Sequence, residues 1–87
     1  MLAAHVGMSE RHFSREFTRA LGCPPGDYVE QVRVDTARRL LETESLLVGV
    51  AAARAGFGSA ETMRRAFLRR LGVTPDHYRR HFAAAPV

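Results

Sequence analysis

The stretch Gly56-Phe57-Gly58-Ser59-Ala60-Glu61-Thr62-Met63-Arg64-Arg65-Ala66-Phe67-Leu68-Arg69-Arg70-Leu71-Gly72 decides how this chain folds. It contains a turn, a serine at a helix entrance, an arginine-rich helix and a glycine exit. Met63, Phe67 and Leu71 recur every four residues, which places them on one helical face. Arg65 and Arg69 share a second face, and Thr62 stands about one turn before Arg65. The Ser59 hydroxyl can accept from a free amide of the first turn, and Gly72 can close the helix in a left-handed conformation. Such a helix suits a core on one side and a phosphate-lined groove on the other.

Working outward, Leu47 to Ala55 reads as a helix with Val48, Ala51 and Ala52 inward. Beyond Gly72, Thr74 is an N-cap and Pro75 the first residue of a last helix, which carries His77, Tyr78, Arg79, Arg80, His81 and Phe82. Ala83 to Val87 reads as a frayed end. Before the Glu44-Ser45 break, a long helix over about Asp27 to Thr43, about 25 Å in length, is expected. Its apolar residues Tyr28, Val29, Val32, Ala37, Leu40 and Leu41 are spaced to feed a core on each side. Arg33, Arg38 and Arg39 alternate with Glu30, Asp35 and Glu42, which marks a charge-balanced connector rather than a reader of DNA. Cys23-Pro24-Pro25-Gly26 is a turn. Ahead of it, Glu10 to Leu21 is a helix capped by Ser9 and ended by Gly22. Phe13, Phe17 and Leu21 form its expected buried stripe, and Arg11, Ser14, Arg15 and Arg19 its polar one. Leu2 to Val6 reads as a short helix, with a turn at Gly7 and Met8 plugged inward.

The two ends of the chain repeat one another. Ala3 aligns with Ala52, Gly7 with Gly56 and Met8 with Phe57. With Gly58 as an extra residue in the second turn, Ser9 aligns with Ser59, Phe13 with Met63, Arg15 with Arg65, Phe17 with Phe67 and Arg19 with Arg69. Leu21, Gly22, Pro25 and Tyr28 then meet Leu71, Gly72, Pro75 and Tyr78. The chain is a tandem duplication of a small helix, a glycine turn and a capped arginine helix. That is the pattern of a helix-turn-helix. Two such units on one rigid connector hold their second helices in a fixed relation. A separation near one turn of DNA, roughly 34 Å, lets both enter one face of a duplex at an asymmetric site.

Composition bounds the function. Eighty-seven residues make a single domain, and 46% hydrophobic content excludes a disordered tail. Arg and Glu interrupt every apolar segment, so no membrane span is expected. The first residues lack a basic leader with a cleavage site. Cys23 is the one cysteine, which rules out an intrachain disulfide and fits a cytoplasmic setting. All thirteen basic residues are arginine. Residues 1–45 hold six arginines against seven acids, and residues 46–87 hold seven against two. The positive charge is thus gathered in the second half, where a polyanion would bind. No nucleophile–base pair, carboxylate dyad or phosphate loop can be assembled, so an enzyme is not expected. His77 and His81 stand four apart on a helix, but no third metal ligand accompanies them.

These residues resemble the C-terminal DNA-binding domain of the AraC/XylS family of bacterial transcription regulators. The likeness is carried by Leu2-Ala3-Ala4-His5-Val6-Gly7-Met8-Ser9-Glu10-Arg11 and by Phe13-Ser14-Arg15-Glu16-Phe17. It continues through Arg33 and Ala37-Arg38-Arg39-Leu40-Leu41, then Ala52 to Ser59, Phe67, Gly72, Pro75, Tyr78-Arg79 and Phe82. The resemblance implies an all-α fold of two helix-turn-helix units joined by a long linker helix. The first unit would occupy 1–22, the linker 25–43, the second unit 46–72 and a C-terminal helix 75–82. Double-stranded DNA is the implied partner and RNA polymerase contact the implied output, with no cofactor and no small-molecule ligand.

Carried onto this chain, the base-reading candidates are Arg11, Ser14 and Arg15 in the first unit and Ala60, Glu61, Thr62 and Arg65 in the second. Ser9, Ser59, Arg64 and Arg69 are the DNA-backbone candidates. Ala60 can do no more than touch a thymine methyl. Glu61 either accepts from cytosine or simply favours the positive helix start. The family pattern places a further helix before the first unit and an N-terminal sensing domain ahead of it, and neither is read in these residues. The second unit is therefore expected to carry most of the DNA affinity. The competing reading is a protein-interaction module that binds polymerase or a full-length relative without specific DNA binding of its own.

Overall fold

The computed structural model describes residues 9–44 and 46–82, and every regular element among them is helical. The expected helix at Leu2 to Val6, the Gly7 turn, the inward Met8, Ser45 and the frayed end beyond Phe82 lie outside the described residues. Five helices follow in order: α1 Glu10–Leu21, α2 Pro25–Thr43, α3 Val48–Ala55, α4 Ala60–Leu71 and α5 Pro75–Phe82.

Local chemistry sets these limits. Ser9 is extended (φ −68°, ψ 158°), and its Oγ accepts from the amide of His12 at 3.1 Å. Ser59 does the same for Thr62 at 3.1 Å, and Thr74 Oγ1 for His77 at 3.1 Å. Each hydroxyl satisfies an amide that has no partner within its helix. α1 and α4 both end on a left-handed glycine, Gly22 (φ 82°) and Gly72 (φ 75°), and both span 12 residues. The duplicated sequence thus builds the same capped helix twice. Proline occupies the first position of α2 and of α5, where its missing N–H costs nothing.

Gly56 makes the turn between α3 and α4 at φ 90°. A side chain there would be strained by that angle, and its Cβ would also come within 3.3 Å of Arg33 Nε.

One core holds α2 to α5 together. Val34, Ala37 and Leu41 enter it from α2, and Ala51, Ala52 and Ala55 from α3. Phe57, then Met63, Ala66 and Phe67 of α4, and Tyr78 of α5 complete it. The three alanines of α3 carry no bulk, so α4 approaches closely across the turn. Phe67 is wholly buried and meets Tyr78 edge-on, with ring centroids 5.9 Å apart. A polar chain reinforces the α2–α5 seam: Arg38 Nε donates to the Tyr78 hydroxyl at 3.1 Å, and that hydroxyl donates to Glu42. Burial, followed by the hydrogen bond to Glu42, raises the Tyr78 pKa. Arg79 Nε donates to the Leu46 carbonyl at 3.0 Å, which fastens α5 to the loop before α3.

Two expectations about burial are corrected. Tyr28, Val29 and Val32 were expected to feed a core, yet each is exposed, whereas Val34, not singled out by spacing, is buried. The core-forming face of α2 therefore begins only at Val34, where α3 to α5 lie against it. On α1, Phe13 and Phe17 are half-buried and Leu21 is exposed, so the expected stripe exists without being sealed. α1 packs against α2, with Phe17 edge-on to Tyr28 at 5.6 Å. Periodicity identifies the apolar face of a helix; how deeply that face is buried depends on what covers it.

Candidate nucleic-acid interface

The first turn of α4 gathers polar and charged side chains at a capped helix start. The serine cap leaves Ala60, Glu61 and Thr62 exposed at the helix entrance, while Met63, Ala66 and Phe67 anchor the opposite face. The Thr62 hydroxyl stands 2.9 Å from Ser59 Oγ, so the two hydroxyls and the helix amides form one polar cluster at the positive end of the helix dipole.

Glu61 lies at the centre of an exposed ionic fork. Arg64 donates to it through two nitrogens, each at 2.8 Å, and Arg65 Nε donates to Oε2 at 3.1 Å. These hydrogen bonds, that of Arg64 first and that of Arg65 second, draw the Glu61 pKa down to about 2. The two-pronged Arg64 contact is the geometry with which a guanidinium grips a phosphate or the edge of a guanine. Glu61 therefore holds both guanidinium groups against the surface of α4 in the free protein. The three residues sit at i, i+3 and i+4, a spacing visible in the sequence, but the sequence reading weighed Glu61 against DNA and the helix dipole alone.

The fork has a measurable signature. Because the folded pKa is depressed, its stabilising effect is present above the ordinary value of 4.5 and is lost as pH falls toward about 2. A carbon-detected NMR titration should place the Glu61 carboxyl midpoint near 2. In Arg64→Ala the midpoint should climb toward 4.5, since the largest cause has been removed. An unmoved midpoint in that variant would show that the fork is absent in solution.

The other arginines of α4 turn the opposite way. Arg69, expected at the DNA backbone, is paired with Glu30 of α2. Arg70 Nε donates to the same carboxylate at 2.8 Å, and another of its nitrogens reaches the Asp27 carbonyl at 2.9 Å. The bond from Arg69, with Arg70 assisting against partial desolvation, lowers the Glu30 pKa. Sequence reading assigned Glu30 to charge balance along α2, because partners 39 and 40 residues away leave no local pattern.

On α1, Arg11, Ser14 and Arg15 are exposed, and Ser9 is exposed at the cap. Among the described residues neither Arg11 nor Arg15 makes an ion pair, while Arg19 pairs with Glu16. In the register of the repeat, Arg11 stands where Glu61 stands in α4. The two helices share caps and length but present different chemistry. His77 and His81 stack with ring centroids 4.0 Å apart, and no group of metal-binding side chains occurs among the described residues. Nor is any described helix long and apolar enough to cross a membrane.

Known proteins carry the same arrangement. The helix-turn-helix domain family matches residues 2–81. The chain is 54% identical over 82 residues to the HTH-type transcriptional regulator Rv1931c of Mycobacterium tuberculosis, covering 94% of this chain and 32% of that protein. It is 32% identical over 78 residues to the HTH-type transcriptional activator AarP of Providencia stuartii, covering 90% of this chain and 58% of that one. The chain thus spans about a third of the first relative and over half of the second. Among solved structures, the DNA-binding domain of AdpA in complex with a target DNA superposes with a TM-score of 0.83 at 42% identity, over 91% of this chain and 71% of that one. The C-terminal domain of AraT, a response regulator from Geobacillus stearothermophilus, gives 0.84 at 27% identity, over 97% and 69%. Two glycine-closed, serine-capped helices on one connector, and a match over nearly the whole length, lead to one conclusion: the chain belongs to the AraC/XylS-type helix-turn-helix domain family.

Proposed function

We propose that the chain is the DNA-binding part of a transcription regulator and reads an asymmetric duplex site with α1 and α4 in successive major grooves. The observation that carries this reading is the pair of 12-residue helices, each capped by serine and showing arginine to solvent, set on either side of the 19-residue α2. Nineteen residues span about 28 Å, of the order of the roughly 34 Å of one DNA turn. That the AdpA domain was solved on its target DNA supports the same reading.

In this reading residues 1–22 and 46–72 form the two helix-turn-helix units, 25–43 the connector and 75–82 the buttress. Arg11, Ser14 and Arg15 read bases at one half-site; Ala60, Glu61, Thr62 and Arg65 read the other. Ser9, Ser59 and Arg64 hold the sugar-phosphate backbone, while Arg69, a backbone candidate by sequence, stays paired with Glu30 of α2. The protein works in the cytoplasm by binding and not by catalysis. It passes the signal to RNA polymerase, with no membrane or small-molecule ligand at this domain.

Selection of bound sequences from a random DNA pool tests this directly. Two half-motifs about one turn apart are expected; recovery of a single half-motif would show that one helix reads alone. Within the selected site, Arg65→Ala should cost about 1–3 kcal/mol and relax preference at one or two base pairs. Unchanged preference in the variant would remove Arg65 from base reading.

A further inference from the structure

The first nine residues of α2, 25–33, contain no buried side chain, and the core-forming face of the helix starts at Val34. This half of α2 projects roughly 13 Å from the core that anchors the rest. It is also the part that carries α1, through the Gly22-Cys23-Pro24 turn and the Phe17–Tyr28 contact. An open groove bordered by Val29, Arg33, Phe57 and Thr62 separates it from the turn and start of α4. What ties it to the second unit is polar. Glu30 takes both Arg69 and Arg70, and the Asp27 carbonyl takes Arg70 again. Glu30 and Arg70 are each only 26% exposed, so this pair is less screened than an ordinary surface pair.

We propose that Glu30, with Arg69 and Arg70, is a brace that holds the projecting end of α2 against the last turn of α4 and so sets the relation between the two reading helices. A bend of about 10° at an unbraced α2 would displace the attachment of α1 by about 2 Å. That displacement is enough to disturb two helices that must enter successive grooves together. Glu30 acts through α1 and α4 and touches no DNA. The inference rests on the bipartite reading above for its consequence, but not for its geometry.

Its test therefore has one arm without DNA. Spin labels at Ala20→Cys on α1 and Ala53→Cys on α3, in a Cys23→Ser background, report the distance between the units by pulsed electron resonance. Glu30→Gln should broaden the distance distribution by about 2 Å. The charge swap Glu30→Arg with Arg70→Glu should narrow it again, and circular dichroism should confirm that each variant is helical. An unchanged width in Glu30→Gln overturns the brace.

In the DNA arm, Glu30→Gln should lower the preference for two half-motifs over one by about 5- to 10-fold, with half-motif affinity unchanged. If affinity for every duplex rises instead, Glu30 is a competitor for phosphate-binding arginines and the brace is refuted. If the parent protein itself prefers no paired motif, the bipartite reading fails, while the distance measurement still decides the brace.

Discussion

Raising salt from about 50 to about 200 mM is expected to weaken duplex binding about 100- to 1,000-fold. The physical basis is counterion release. Each phosphate neutralised by an arginine frees condensed ions, and the affinity falls by about 0.9 log units per contact for each tenfold rise in salt. Arg11 and Arg15 are exposed on α1, and Arg64 and Arg65 on α4. Arg64 at the backbone, the base-reading arginines lying between the phosphate rows and the helix N-termini of the two units together neutralise about four to five phosphate charges. Glu61 moderates the count, because its carboxylate already neutralises part of the charge on Arg64 and Arg65. Fluorescence anisotropy with a labelled duplex gives the slope of log affinity against log salt. A slope shallower than about −2 would mean that these arginines do not neutralise the phosphate charge of the groove.

Phe67→Ala should destabilise the fold by about 3–5 kcal/mol. Phe67 is wholly buried, at the junction of α2, α3, α4 and α5, and its ring supports Tyr78 edge-on. The variant loses the transfer energy of the ring and leaves a cavity that rigid helices cannot collapse into. A domain of this size is stabilised by only about 4–13 kcal/mol, so the loss takes a large share of the total. Its melting temperature should drop by about 12 °C or more in a thermal scan, and DNA binding should fail with it, because α4 is at once core and reader. Val32→Ala is the matching control. The spacing predicts Val32 as a core residue, but it is 45% exposed. Its replacement should change stability by no more than about 0.5 kcal/mol. Equal losses in the two variants would contradict the burial described above.

The contrast between Phe67 and Val32 shows where sequence reasoning holds. Both occupy apolar positions of helical period, and the period alone cannot rank them. Phe67 lies in the core shared by α2 to α5; Val32 lies on the projecting half of α2 and is exposed. The candidate site divides in the same way. Arg64, Arg65 and Glu61 are neighbours within one helix, so their fork is implicit in spacing three and four. Arg69 and Arg70 share that arginine-rich run, but their partner Glu30 belongs to another helix. No local pattern could have separated the arginines that face outward from those that brace.

What the sequence determined by itself is whatever depends on contacts a few residues long. Ser9, Ser59 and Thr74 as caps, Gly22, Gly56 and Gly72 as turns, the extents of α1, α4 and α5, and the duplication are of this kind. A cap needs only an amide three residues away, and a left-handed exit needs only the absence of a Cβ. The tertiary structure alone decided which apolar faces are sealed, that Val34 and not Val32 begins the core, and that the opening arginine helix is split in function. Its first turns stand free around Glu61, and its last turn is held by Glu30, because burial and long-range ion pairing depend on which helices come to lie beside one another.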